Sequence, residues 1–157
     1  MKRHLVILGL GIFVFAAVAA VRAQSDPRIG TWKLNVSKST ASNGQLPKSE
    51  TRTYEAQGNQ IMASNEGVNA QGKAVSAHYN ATADGQDHPA GGPDPSITIG
   101  IKQTGPGAYA GTIKKDGKVI GTNAAVISGG GKVFTFNNKG TDASGKTFTS
   151  TVVYDKQ

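Results

Sequence analysis

His78, Asp84, Asp87 and His88 fall within eleven residues around an Asp84-Gly85 pair, the densest gathering of donor side chains in the chain. Imidazole and carboxylate are ordinary metal ligands, but a site needs two or three of them converging on one point. The stretch 73–82 alternates, with Val75, Ala77, Tyr79 and Ala81 opposite Ala74, Ser76, His78 and Asn80. That pattern turns His78 to solvent, and no metal site or haem ligand is expected. Catalytic chemistry fares no better. There is no cysteine, hence no thiolate and no disulfide. No Gly-x-Ser-x-Gly elbow, phosphate loop or dinucleotide fingerprint is present. Glu50 and Glu55 fall on opposite faces of one strand, so no pair of acids is assembled. The residues read as catalytic are none, and the expected protein is not an enzyme. The groups left with chemistry to offer are the hydroxyls of Tyr79, Tyr109 and Tyr154, suited to orienting a bound molecule.

The elements that would position those tyrosines are strands. No window places apolar residues at helical spacing over three turns, whereas period-two alternation recurs. Strands are predicted over 29–36, 50–57, 60–66, 73–82, 96–103, 108–115, 118–128, 132–138 and 146–155, with a short extended piece at 86–89. Gly58-Asn59, Asp84-Gly85 and Asp116-Gly117 supply hairpin-turn chemistry. Residues 37–49, with Asn43-Gly44 and Pro47, form a loop with at most one helical turn at its start. Nine or ten strands with hairpin-length links form an antiparallel meander. Closing it removes the exposed edges. The expectation is an all-β fold: a single up-and-down antiparallel β-barrel. A two-sheet sandwich is the competing architecture and needs longer crossovers.

Ahead of this domain, Lys2, Arg3 and His4 precede an uncharged run from Leu5 to Val21, and Val21-Arg22-Ala23 offers a cleavage site before Gln24. Residues 1–23 are read as a signal peptide and 24–157 as the barrel domain. The alternative is an uncleaved anchor at the short end of bilayer-spanning length. Export to the periplasm or beyond follows from cleavage. Loss of Lys2, Arg3 and Arg22 lowers the formal charge from +7 to +4. The remaining lysines are scattered, densest at Lys114, Lys115 and Lys118, which does not make a nucleic-acid face.

Gly30-Thr31-Trp32 matches the Gly-x-Trp that opens lipocalin barrels, and Gly30-Thr31-Trp32-Lys33-Leu34 resembles the first strand of fatty-acid-binding proteins. Thr151-Val152-Val153-Tyr154-Asp155-Lys156 resembles their closing strand. The whole of 29–157 resembles a group of exported bacterial lipocalin-like proteins of unknown role within the calycin superfamily. The resemblance implies a barrel floor built by Gly30 and Trp32 with a cation, Lys156 or Arg28, over the indole. It also implies a small apolar or amphipathic ligand inside, against Tyr79, Ile99, Tyr109, Phe134, Phe136 and Tyr154. Two departures stand out. Residues 37–49 are too short for a helical lid pair. Val152 occupies the position of the arginine that holds a fatty-acid carboxylate, so only Tyr154 of that headgroup site carries over.

With Trp32 inward, alternation turns Leu34 and Val36 inward as well. On the last strand Tyr154, Val152, Ser150 and Phe148 share a face. Ile97, Ile99 and Ile101 complete the interior, with Ala77, Ala81 and Ala108 interleaved. The expectation is a monomeric carrier without a cofactor, holding a small hydrophobic or amphipathic molecule. A solid barrel acting as an envelope structural or protein-interaction module gives the same pattern in sequence.

Overall fold

The computed structural model describes residues 26–142 and 144–157. The segment 1–23 and the cleavage point before Gln24 lie outside the described residues. Eleven strands follow in order: β1 (Gly30–Leu34), β2 (Thr40–Ala41), β3 (Ser49–Gln57), β4 (Gln60–Val68), β5 (Ala74–Asn80), β6 (Asp84–Pro89), β7 (Ile97–Gly105), β8 (Ala108–Lys115), β9 (Lys118–Ser128), β10 (Val133–Thr141) and β11 (Thr147–Lys156). All ladders are antiparallel and run β5-β4-β3-β1-β11-β10-β9-β8-β7-β6, with β2 added to β11. The first long strand thus zips to the last, with Trp32 opposite Lys156 and Leu34 opposite Tyr154. Ten strands make a nearly closed barrel, and the eleventh, β2, is a two-residue addition. Among the described residues no helix is long and apolar enough to cross a membrane.

The barrel keeps one seam, between β5 and β6, where no ladder forms. Asp84-Gly85 is therefore not the tip of a hairpin, as its composition suggests, but the start of β6, next to an irregularity in its pairing with β7. The cause lies just upstream. Ala81 N–H donates to the Ile61 carbonyl at 2.7 Å, and Thr82 Oγ1 accepts from Ile61 N–H at 3.0 Å. The chain thus continues along β4 instead of folding back on β5. At the other end of the seam the 90–96 loop lies directly on β5. Gly91 has φ +66°, and a Cβ there would stand 1.6 Å from the His78 carbonyl oxygen, so only glycine permits this approach.

Two inward assignments are corrected by the structure. Val36 is 45% exposed because the chain leaves β1 for a 3-10 turn over Val36–Lys38. Asn35 Oδ1 caps that turn by accepting from Lys38 N–H. Ala108 lies on the outer face, because Tyr109, Gly111 and Ile113 take the inner one. Lys114 and Lys115, part of the lysine cluster, are matched by acids: Lys114 Nζ reaches Asp87 at 2.6 Å and Lys115 Nζ reaches Asp94 at 2.8 Å. These pairs tie β8 to β6 and to the 90–96 loop. The cluster is therefore no free basic patch.

Candidate functional site

The interior is divided by a floor of aromatic rings. Trp32, Phe134 and Tyr154 are its largest fully buried side chains. Phe134 is the hub, with ring centroids 5.2 Å from Trp32, 6.0 Å from Tyr54, 6.5 Å from Tyr109 and 4.3 Å from Phe136. Tilted and edge-on contacts of this kind add to the burial of each ring. Lys156 Nζ stands 4.9 Å from the centroid of Trp32. Gly30 (φ +122°) makes room for it, since a Cβ would come within 3.0 Å of Lys156 Cε.

Arg28 closes the floor from below in a different way. Its carbonyl accepts from Trp32 Nε1 at 2.7 Å, while its guanidinium stacks on Tyr109 at 4.3 Å. The guanidinium donates from Nη1 to the Ala81 carbonyl at 2.7 Å and pairs with Asp26 through both Nε and Nη2. Burial pushes the Asp26 carboxyl up, but the hydrogen bonds and charge of Arg28 outweigh it and hold Asp26 below the ordinary carboxylate range.

A depressed carboxylate stabilises the fold fully above its unfolded pKa, about 3.9, and loses that contribution as pH falls through its folded value. The Asp26→Asn variant is therefore expected to be about 1–2 kcal/mol less stable than the parent at pH 7. Its deficit should shrink progressively as pH falls below about 3.9 and through the depressed folded value of Asp26. Thermal unfolding of both proteins against pH measures this, and a deficit independent of pH would refute the assignment.

Above the floor lies a cavity of about 290 Å³ that opens towards the mouth of the barrel. Ala77, Ile97, Ile99, Ile113 and Phe136 make its apolar wall. Arg52, Asn65, Tyr79, Asn123 and Asn138 supply polar groups. A smaller void of about 40 Å³, lined in part by Tyr54, Tyr109 and Phe134, sits beneath it and shares Arg52, Tyr79, Ile99 and Phe136. The volume is near the lower end of the roughly 300–1,000 Å³ of small-molecule sites. A broader hollow of about 670 Å³ lies between Asp26-Pro27 and the β7–β8 turn, including Gln103 and Pro106. It is outside the barrel and away from these polar groups.

The strand register explains the polar rows. Arg52 on β3 faces Asn65 on β4, which faces Ala77 on β5. Asn123 on β9 faces Asn138 on β10, which faces Ser150 on β11, and Asn138 Nδ2 donates to Ser150 Oγ at 3.1 Å. Gly111 leaves the space Asn123 occupies, since a Cβ there would lie 2.6 Å from Asn123 Oδ1. Arg52 is the charged centre. Its Nε donates to Glu50 Oε1 at 2.5 Å, and its Cζ stands 4.8 Å from the centroids of both Phe136 and Tyr154. Burial works against its charge, but the electrostatics of its surroundings, the Glu50 carboxylate among them, outweigh that and hold its pKa well above the ordinary value. Burial pushes the Tyr54 and Tyr154 hydroxyls up, so both stay protonated. Asn65 Oδ1 is buried with no hydrogen-bond partner.

Of the residues singled out from sequence, Tyr79, Ile99 and Phe136 line the 290 Å³ cavity. Tyr109 and Phe134 border the small void below it and not the cavity itself, Tyr109 also lining the hollow beside Asp26 and Pro27, and Tyr154 is packed into the floor against Phe136 and Arg52. Sequence reasoning missed Arg52, Asn65, Asn123 and Asn138. The one available signal was parity: Glu50, Arg52 and Tyr54 share a face of β3, although its other face is just as polar. His88 and Asp84 do meet, with Nε2 3.0 Å from Asp84 Oδ2. The Gln86 backbone N–H, and then His88, hold Asp84 below the usual range. Among the described residues no three His, Cys, Asp or Glu side chains converge on a metal position.

The barrel has counterparts among solved structures. The chain superposes on As-p18, an extracellular fatty acid binding protein, with a TM-score of 0.54 at 15% identity, over 84% of this chain and 97% of that one. With the zebrafish ileal bile acid-binding protein complexed with cholic acid the TM-score is 0.50 at 13% identity, over 83% of this chain and 99% of that one. This is the calycin fold. No family model matches the chain, and no curated protein matches it in sequence. The barrel adds one thing to the expectation that Tyr154 alone of the headgroup site carries over. The cation beside Tyr154 comes from Arg52 on β3, not from position 152 of the closing strand.

Proposed function

We propose that this protein is an exported, non-enzymatic carrier that holds one small amphipathic molecule inside its barrel and acts as a monomer. The observation that carries the reading is the 290 Å³ cavity above the aromatic floor, apolar on one wall and polar on the other. An apolar body removed from water against Ile97, Ile99 and Phe136 gains about 25 cal/mol per Å² buried. The polar row at Arg52 and Asn65 receives the head. Residues 1–23 support export, with a mature protein beginning at Gln24.

Ala77 faces the cavity from β5, and a large ring there would fill it. The parent protein is expected to take up one equivalent of a hydrophobic fluorophore, and Ala77→Trp to weaken that uptake more than about tenfold with little change in thermal stability. Native mass spectrometry of protein from its own source should show a retained small molecule. A bare protein that also rejects the fluorophore would leave the solid-barrel alternative standing.

A further inference from the structure

The calycin barrel holds two arginines in its interior, and each already has its counter-charge. Arg28 is paired with Asp26 and Arg52 with Glu50. The Arg52–Glu50 side chains are only 20% and 13% exposed. Apart from Nε, the guanidinium has no second carboxylate or carbonyl partner among the described residues; its amino nitrogens stand beside the cavity with only the Tyr54 and Tyr154 hydroxyls as polar neighbours. The Asn65 amide, directly across the ladder from Arg52, carries the unpartnered Oδ1. Rotation about the terminal torsion of an asparagine is soft, so that oxygen can turn to meet a donor. The polar end of the cavity therefore offers donors and acceptors together and no net charge.

Resting on the carrier reading above, we propose that the ligand's head is uncharged and both donates and accepts hydrogen bonds, as a carboxamide or a hydroxyl does, and is not a carboxylate. A head of this kind accepts from the Arg52 amino nitrogens and donates to Asn65 Oδ1. A carboxylate accepts from Arg52 too, but it sets a second negative charge beside Glu50. It also brings no donor for Asn65. An uncompensated charge in a half-dry site is costly, whereas a neutral dipolar group satisfies the waiting acceptor.

The test uses three probes with one chain length, decanamide, 1-decanol and decanoate, each displacing a bound hydrophobic fluorophore at pH 7.4, where decanoate is ionised. The parent protein is expected to bind decanamide and 1-decanol about tenfold more tightly than decanoate. Glu50→Gln removes the competing charge while keeping the shape, so decanoate affinity should rise about tenfold and the preference disappear or invert. The parent comparison needs no variant and stands alone if Glu50→Gln fails to fold. A parent that prefers decanoate, or a preference untouched in folded Glu50→Gln, overturns the inference and leaves the carrier reading intact. Fluorophore uptake without displacement by any of the three probes overturns the inference alone. Failure to take up the fluorophore at all overturns both.

Discussion

Phe134→Ala is expected to lower stability by about 3–5 kcal/mol, the range for deleting a fully buried phenyl ring. Phe134 is 1% exposed and touches four other rings from four strands, so its removal strips contacts from Trp32, Tyr54, Tyr109 and Phe136 together. The surrounding rings are anchored separately, Trp32 through the Arg28 carbonyl and Tyr109 through the stacked guanidinium. They cannot collapse freely into the space, and the upper part of the range is expected. For a domain of this size the midpoint of thermal unfolding should drop by roughly 10–20 °C. The 40 Å³ void beneath the cavity borders Phe134, so the variant should also deepen the binding space and admit a longer fluorophore. Thermal unfolding followed by Trp32 fluorescence, with titration of fluorophores of graded length, checks both. A loss below about 1 kcal/mol would mean that the rings do not form a common floor.

Arg52→Met should cost about 2–4 kcal/mol, since it leaves Glu50 half-buried without its partner. Glu50→Leu should cost a similar amount by stranding Arg52. The double variant should recover to within about 1 kcal/mol of the parent, because an apolar pair of similar volume replaces an ion pair at little net cost. The two changes are therefore strongly non-additive, with a coupling on the order of 2–3 kcal/mol. Partial exposure of 20% and 13% keeps the expected cost below the full range for buried pairs. Urea unfolding of the four proteins measures the cycle. Additive costs would show that water entering from the mouth hydrates each charge separately. They would also remove the premise that Arg52 is neutralised before a ligand arrives.

The architecture was largely legible in the chain. Predicted strands at 108–115 and 118–128 match β8 and β9 to the residue, and Asp116-Gly117 turns between them with Asp116 at φ +49°. Such features are local: alternation, β-branched residues and turn chemistry act within a few residues, whatever the rest of the chain does. The Gly30-Thr31-Trp32 opening and the closing strand also reported their own pairing, because the first and last strands of this barrel carry distinctive side chains.

Local pattern alone carried the ten long strands, their antiparallel order and the burial of Trp32, whereas the two-residue β2 lies inside the expected 37–49 loop. Tertiary structure alone decided where the barrel stays unsealed, since Asp84-Gly85 reads as a hairpin until Ile61 is seen holding Ala81 and Thr82. It alone decided that space remains above the floor, because filled and hollow interiors use the same alternation. It also brought Arg52 beside Tyr154, 102 positions away in the chain, with the floor's Phe136 between them in sequence. The physical reason is register. Which face of β3 turns inward, and which residues stand opposite, is fixed by ladders to β1 and β4 that join distant segments. A run such as Glu50-Thr51-Arg52-Thr53-Tyr54, polar on both faces, carries no local preference that could reveal it.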